Sequence, residues 1–213
     1  RTANASSPHG WGRDSRAQVE STRRILAKAF AVGPQSVVFT SGATEGLQLA
    51  MRAARMTTGA AAPAILCDGL HSAARIPISR ESEGMAPTAI PFCADGSWNV
   101  DDLEWTEGTR FNGESWGVIT LAQHESGACF PLEQFRRFAP QLPVVMDAAQ
   151  AFGKIKLNPA SCGPGWIVVS GHKIGALSGV GAVIALGMEW PDAMLGDGQE
   201  RGIRPGTEFG LGI

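Results

Sequence analysis

Trp166-Ile167-Val168-Val169-Ser170-Gly171-His172-Lys173 is a short apolar run that closes on a lysine. A second run, Val144-Val145-Met146, closes on Asp147, with Ala148, Ala149 and Gln150 behind it. Buried strands ending in an acid and in a lysine are how an α/β protein brings opposite charges to one edge of its sheet. Ligands in open α/β sheets bind at that carboxyl edge. A lysine held there beside a carboxylate suits Schiff-base chemistry with an aldehyde cofactor, and the carboxylate suits a pyridinium nitrogen. Alone, either residue reads as an ordinary surface charge. The pair, together with what lies upstream, reads as a site.

Bulk properties set the frame. The 213 residues are 44% hydrophobic and 18% charged, the composition of an ordinary globular protein with a sizeable core. A formal net charge of -2 and a pI near 6.1 argue against a nucleic-acid or anionic-membrane partner. No apolar run approaches the roughly 20 residues of a membrane span. Cys67, Cys93, Cys129 and Cys162 lack CxxC spacing, so neither zinc nor a disulfide framework is expected. Reduced, mostly buried thiols in a cytoplasmic protein are the simplest reading. The chain opens on Arg1 and stops at Gly210-Leu211-Gly212-Ile213, as a piece of a longer protein would.

Helix-like and strand-like segments alternate, which predicts βαβ units and a mainly parallel sheet. Residues 14–31 read as an amphipathic helix, with Val19, Thr22, Leu26 and Ala29 on one stripe and Arg16, Arg23, Arg24 and Lys28 mostly elsewhere. Residues 43–56 and 132–138 are helix candidates, a helical turn follows His71, and 100–105 reads as a short helix. Strands are expected at 36–40, 64–67, 88–92, 117–121, 144–146, 166–169 and 181–186. The last two are joined by a segment too short for a helical crossover, so they should pair antiparallel. Residues 59–63 and 107–113 read as surface loops.

Thr40-Ser41-Gly42-Ala43-Thr44-Glu45-Gly46 lies at a strand-to-helix junction. Gly42 permits a sharp turn, and the amides that follow open a helix, offering N–H groups and a positive dipole end to an anion such as a phosphate. Thr44 adds a hydroxyl. The glycine and lysine spacings of Walker and dinucleotide loops are missing. Ser170 and His172 flank Gly171, so both are available on the side where the Ala43 helix begins. His71 follows a strand end, the right place for a ring over a planar cofactor, and equally the place for a helix cap. His124, in Gln123-His124-Glu125-Ser126-Gly127, stands past another strand on the same edge. Arg204 could clamp a substrate carboxylate, whereas Arg201 reads as a solvated loop charge. Ala128-Cys129-Phe130 reads as buried packing.

Taken in order, SGATEG, His71, QHESG, MDAAQ, SGHK and ERGIRPGT resemble the cysteine desulfurases, within the class V aminotransferase group of fold-type-I pyridoxal-phosphate enzymes. Residues 4–13 are similar to the loop before that family's first long helix, and the resemblance runs to about residue 208. It implies a three-layer α/β/α fold with a mixed, mainly parallel sheet: residues 1–213 as the cofactor-binding large domain, truncated at both ends, without the small C-terminal domain. Pyridoxal 5'-phosphate would be the cofactor. Lys173 would carry its Schiff base and shuttle a substrate proton, Asp147 would pair with the pyridinium nitrogen, and His71 would stack on the ring. Gln150 and His124 would face the phenolic oxygen, where the family usually has asparagine in place of His124. Ala43, Thr44, Ser170 and His172 would hold the phosphate, with Thr207 reaching that of a partner subunit in a homodimer. Arg204 would be a substrate ligand.

The implied activity converts L-cysteine to L-alanine, with sulfur passed to an enzyme persulfide and on to a sulfur-acceptor protein. A class V aminotransferase acting on a small amino acid is the alternative reading, and a non-catalytic pyridoxal-phosphate-binding partner in sulfur transfer a third. Two features depart from the family: His124 itself, and the loop Ile174-Gly175-Ala176-Leu177-Ser178-Gly179 after the lysine. No segment matches the mobile loop that carries the family's nucleophilic cysteine.

Overall fold

Apolar residues fill both faces of nearly every strand, and that requires helices on either side of the sheet. The computed structural model describes residues 3–59, 65–81, 87–100, 114–196 and 199–204. Among them, seven strands form one sheet: β1 (Val37–Thr40), β2 (Ile65–Cys67), β3 (Thr88–Ile90), β4 (Gly117–Thr120), β5 (Val144–Asp147), β6 (Gly165–Ser170) and β7 (Gly181–Leu186). Their order is β1-β7-β6-β5-β4-β2-β3. β7 runs antiparallel to β6 and to β1, and the remaining pairs are parallel. The segment between β6 and β7 holds a 3-10 turn and no crossover helix, so the chain doubles back as expected.

Alternation along each strand sends neighbours to opposite faces. Phe39, Ile119, Met146, Ile167 and Ile184 join Val19, Ala27 and Phe135 in one core, beneath α1 (Gly10–Ala29) and α4 (Leu132–Phe138). Val38, Val118, Val145, Trp166, Val168 and Val183 join Leu47, Met51, Ala74 and Ile78 in the other, beneath α2 (Ala43–Thr58) and α3 (Ser72–Glu81). A short α5 (Pro159–Cys162) completes the α-helices among the described residues. Full burial of each large apolar side chain contributes about 1.5–3 kcal/mol, so the two cores dominate the stability. The three-layer architecture matches the expectation.

The details differ in instructive places. α1 starts at Gly10, four residues before the expected start, because His9 caps it: the His9 side chain accepts from the Gly12 amide. A Cβ at position 12 would lie 2.3 Å from the Ser7 carbonyl oxygen, so the preceding segment lies flush against this helix turn. α1 ends at Ala29, before Ala31 takes a left-handed φ of 54°. Ala29 is exposed; Ala27 and Phe30 enter the core instead. Pro77 sits inside α3, which is a full helix and not the single turn expected after His71. β3 is shorter than residues 88–92 would give: past Ile90, Phe92 bridges only to Trp98. The expected helix at 100–105 and loop at 107–113 fall, apart from Val100, outside the described residues, as do positions 60–63.

Candidate active site

Register sets which strand ends share an edge. Asp147 pairs with Thr120 on one side and Val168 on the other. Gly181 pairs with both Ser170 and Thr40. The carboxyl ends of β1 and β6 therefore finish level, those of β4 and β5 finish level two residues earlier, and the segments that follow all four meet that after β2 around one cavity of about 430 Å³. Ala43, Thr44, His71, His124, Asp147, Gln150, Ser170, His172 and Lys173 all line it. Its size falls in the roughly 300–1,000 Å³ range of small-molecule pockets. A cleft of about 450 Å³ on the α1 side is similar in volume, but the Arg23–Glu200 ion pair fills its wall and each charge answers the other.

One wall is the start of α2. Gly42 takes φ 156°, a backbone that side chains rarely adopt, and supplies no side-chain cap to the first turn of the helix. Those first amides are left for an anion. Gly181 lies so close to this turn that a Cβ there would sit 2.8 Å from the Gly42 backbone. Gly46 allows α2 to press on the sheet, since a Cβ would meet Val168 Cγ1 at 2.7 Å. Glu45 reaches back to accept from the Ser41 amide at 2.6 Å and takes the Arg204 Nε at 2.5 Å. Partial burial raises the Glu45 pKa, but the bonds from Ser41 and Arg204 outweigh it and hold the carboxyl below its ordinary value.

The floor is Asp147, buried at the end of β5, with Oδ1 accepting from the Ala149 amide at 2.9 Å. Burial pushes its pKa above the usual carboxylate range, against the opposing pull of the Ala149 bond and of positive charge on His71 and His124. A cation opposite this carboxyl would favour its ionised form. The two imidazoles stand edge to face, centroids 5.6 Å apart and planes at 68°. His71 is also the cap of α3: its carbonyl accepts from Ala74 and Arg75, and its Nδ1 from Ala73 at 3.1 Å. His71 thus caps α3 and also lines the cavity.

Lys173 follows β6 on a 3-10 turn, Gly171–Ile174. Ser170 Oγ and His172 Nδ1 lie 3.1 Å apart, so both face the same space. Gln150 lines the cavity with its Oε1 taken by Lys154 Nζ at 2.5 Å. Arg204 stands outside this lining, paired with Glu45, while Thr207 lies outside the described residues. Arg201 is exposed and donates to the Gln35 carbonyl. Sequence reasoning missed Thr120, Ala122, Ser178 and Gly179, which also line the cavity. Thr120 ends β4 level with Asp147 and was findable by the strand-end rule that located the aspartate. Cys129 corrects an expectation: it is exposed, and only its neighbour Phe130 is buried, because successive side chains around the Ala122–Cys129 bridge point opposite ways.

The sequence profile of the class-V aminotransferases matches residues 1–193. The chain belongs to the class-V aminotransferase family. Within it, a cysteine desulfurase of Nostoc sp. (strain PCC 7120 / SAG 25.82 / UTEX 2576) is 31% identical over 224 residues, spanning 99% of this chain and 53% of that protein. The IscS-like cysteine desulfurase of Mycobacterium tuberculosis is 32% identical over 214 residues, 96% of this chain and 54% of its own length. The chain thus spans about half the length of these class-V relatives. Among solved structures, a NifS-like protein superposes with a TM-score of 0.82 at 26% identity, covering 99% of this chain and 59% of that one. SspA in complex with cysteine gives the same TM-score and identity, covering 99% and 62%.

Proposed function

We propose that the cavity binds pyridoxal 5'-phosphate and that the whole protein is a cysteine desulfurase-like enzyme. The observation that carries the reading is one lining shared by Lys173, a buried Asp147 and the uncapped start of α2. The donor set fits the cofactor group by group. The α2 amides, Thr44, Ser170 and His172 suit a phosphate, Asp147 a protonated ring nitrogen, and the Lys173 amine an aldehyde. His71 offers an aromatic surface; Gln150 and His124 offer polar groups to a phenolic oxygen. When bound, the cofactor supplies an electron sink for carbanion chemistry.

The chain's own residues do the rest. Asp147 keeps positive charge on whatever nitrogen sits above it, in a setting where burial makes that pairing strong. Lys173 would move a proton at the reacting carbon. Two relatives are named as cysteine desulfurases and one structure as a complex with cysteine, which supports L-cysteine as substrate, with alanine and a persulfide as products. The same reading carries a homodimer, with Thr207 reaching the partner subunit's phosphate, Arg204 near the substrate, and a sulfur-acceptor protein. The test is product analysis of the whole protein with L-cysteine and a reductant. Alanine and sulfide formed in equal amounts are expected. Amino-group transfer to a glyoxylate-like acceptor, with no sulfide, would make it a class V aminotransferase instead.

A further inference from the structure

His71 and His124 face each other across the cavity mouth, but their surroundings make them unequal. The Ala73 amide can only donate, so the bond it makes at 3.1 Å commits the lone pair of His71 Nδ1. The one ring proton of neutral His71 is then on Nε2. His124 has no such clamp: among the described residues, no hydrogen bond ties either of its ring nitrogens. Its side chain is 39% exposed, and its Nε2 lies 3.8 Å from Oε1 of the solvated Glu125. The charged groups around it are Asp147 below, Glu125 beside it and His71 across, with Glu45, His172 and Lys173 elsewhere in the same lining.

We propose that His124 is the proton carrier of this site and His71 a fixed Nε2–H donor. Amino acids arrive with a protonated amine, which has no lone pair with which to attack a carbonyl. The neutral His124 imidazole takes one proton from that ammonium, leaving a free amine and an imidazolium. The imidazolium then returns the proton to water at the mouth, beside the Glu125 carboxylate, and the ring is restored with no other bond changed. An asparagine at position 124 could hold a hydrogen bond but could not do this, since its amide does not titrate. The role rests on the amino-acid substrate proposed above.

Two measurements test it. In nitrogen-15 imidazole spectra of the chain without cofactor, assigned with His71→Asn and His124→Asn, His71 is expected as the Nε2–H tautomer at neutral pH. An Nδ1–H tautomer or a doubly protonated His71 would overturn the division of roles. In the whole protein, His124→Asn should lower kcat/KM for its amino-acid substrate by about 10²-fold, the scale of one general acid–base group. It should also remove a limb of the pH profile, and added imidazole should restore activity. An unchanged profile without imidazole rescue would overturn the carrier role, since a purely structural histidine is not rescued that way. The expected tautomer with no turnover of any amino acid would instead refute the substrate reading, and with it the source of the proton.

Discussion

Cys67 and Cys129 sit in opposite surroundings, and their chemistry should follow. Burial pushes the Cys67 thiol up to about 12, and its sulfur accepts from the Thr120 amide at 3.2 Å. Cys162 is buried and raised in the same direction. Thiolate is the reactive form, so neither should react in the folded chain. A colorimetric disulfide reagent is expected to modify exposed Cys129 first and half-buried Cys93 more slowly, with the other two released only by denaturant. Asp147 gives a second prediction at this scale. Its folded pKa is raised, so between the ordinary carboxylate value and the raised one the folded chain holds more protons than the unfolded. Stability therefore falls as pH rises through that window and stays lowered above it. Without cofactor, Asp147→Asn should raise stability at pH 7 by about 1 kcal/mol, or about 2–4 °C in Tm, and the gain should vanish near pH 3. A lower Tm at pH 7 would contradict this. Residue identity was legible wherever chemistry and strand end coincide, as at Asp147 and Lys173. Exposure was not legible at Cys129, because its apolar neighbours hid the alternation.

Elements were legible where one pattern dominates. α4 and β7 begin and end where the sequence places them, since an amphipathic run and an unbroken apolar run leave no competing choice. α1 and α3 were harder: glycines at 10 and 12 and a proline at 77 lower local helix preference, and tertiary contacts override them. The least legible element is the turn after β7. Glu200 takes a left-handed φ of 49°, and its side chain is 1% exposed. It accepts Arg23 through both oxygens at 2.5 and 2.8 Å and the Phe39 amide at 2.8 Å. Burial lowers the pKa of Arg23, but Glu200 more than offsets it, leaving it raised. Nothing in the spacing of residues 23 and 200 announces this pair; Arg23 reads as a surface charge of α1. Glu200→Gln should cost about 3–5 kcal/mol in urea unfolding, because it leaves Arg23 with the more exposed Glu20 as its counter-charge in place of the buried Glu200. The loss in Glu200→Gln with Arg23→Met should be smaller than the sum of the two. Simple additivity would mean that the pair contributes no coupling.

At the scale of the whole molecule, the site is a product of register. Its walls come from segments between positions 41 and 179, and no local pattern says that the ends of β1, β4, β5 and β6 gather at one edge of the sheet. What made the assembly legible was the rule that parallel strands deliver their carboxyl ends to one edge, applied to motifs that each follow a strand. The antiparallel return of β7 is the piece that seats Gly181 against Gly42 and holds the start of α2 beside the lysine turn. The most direct test of this assembly is an absorption titration of the whole protein with pyridoxal 5'-phosphate, beside Lys173→Ala. A visible band that saturates with cofactor and is absent from the variant is predicted. Saturable cofactor binding with the same band in both proteins, or no band in either, would contradict it.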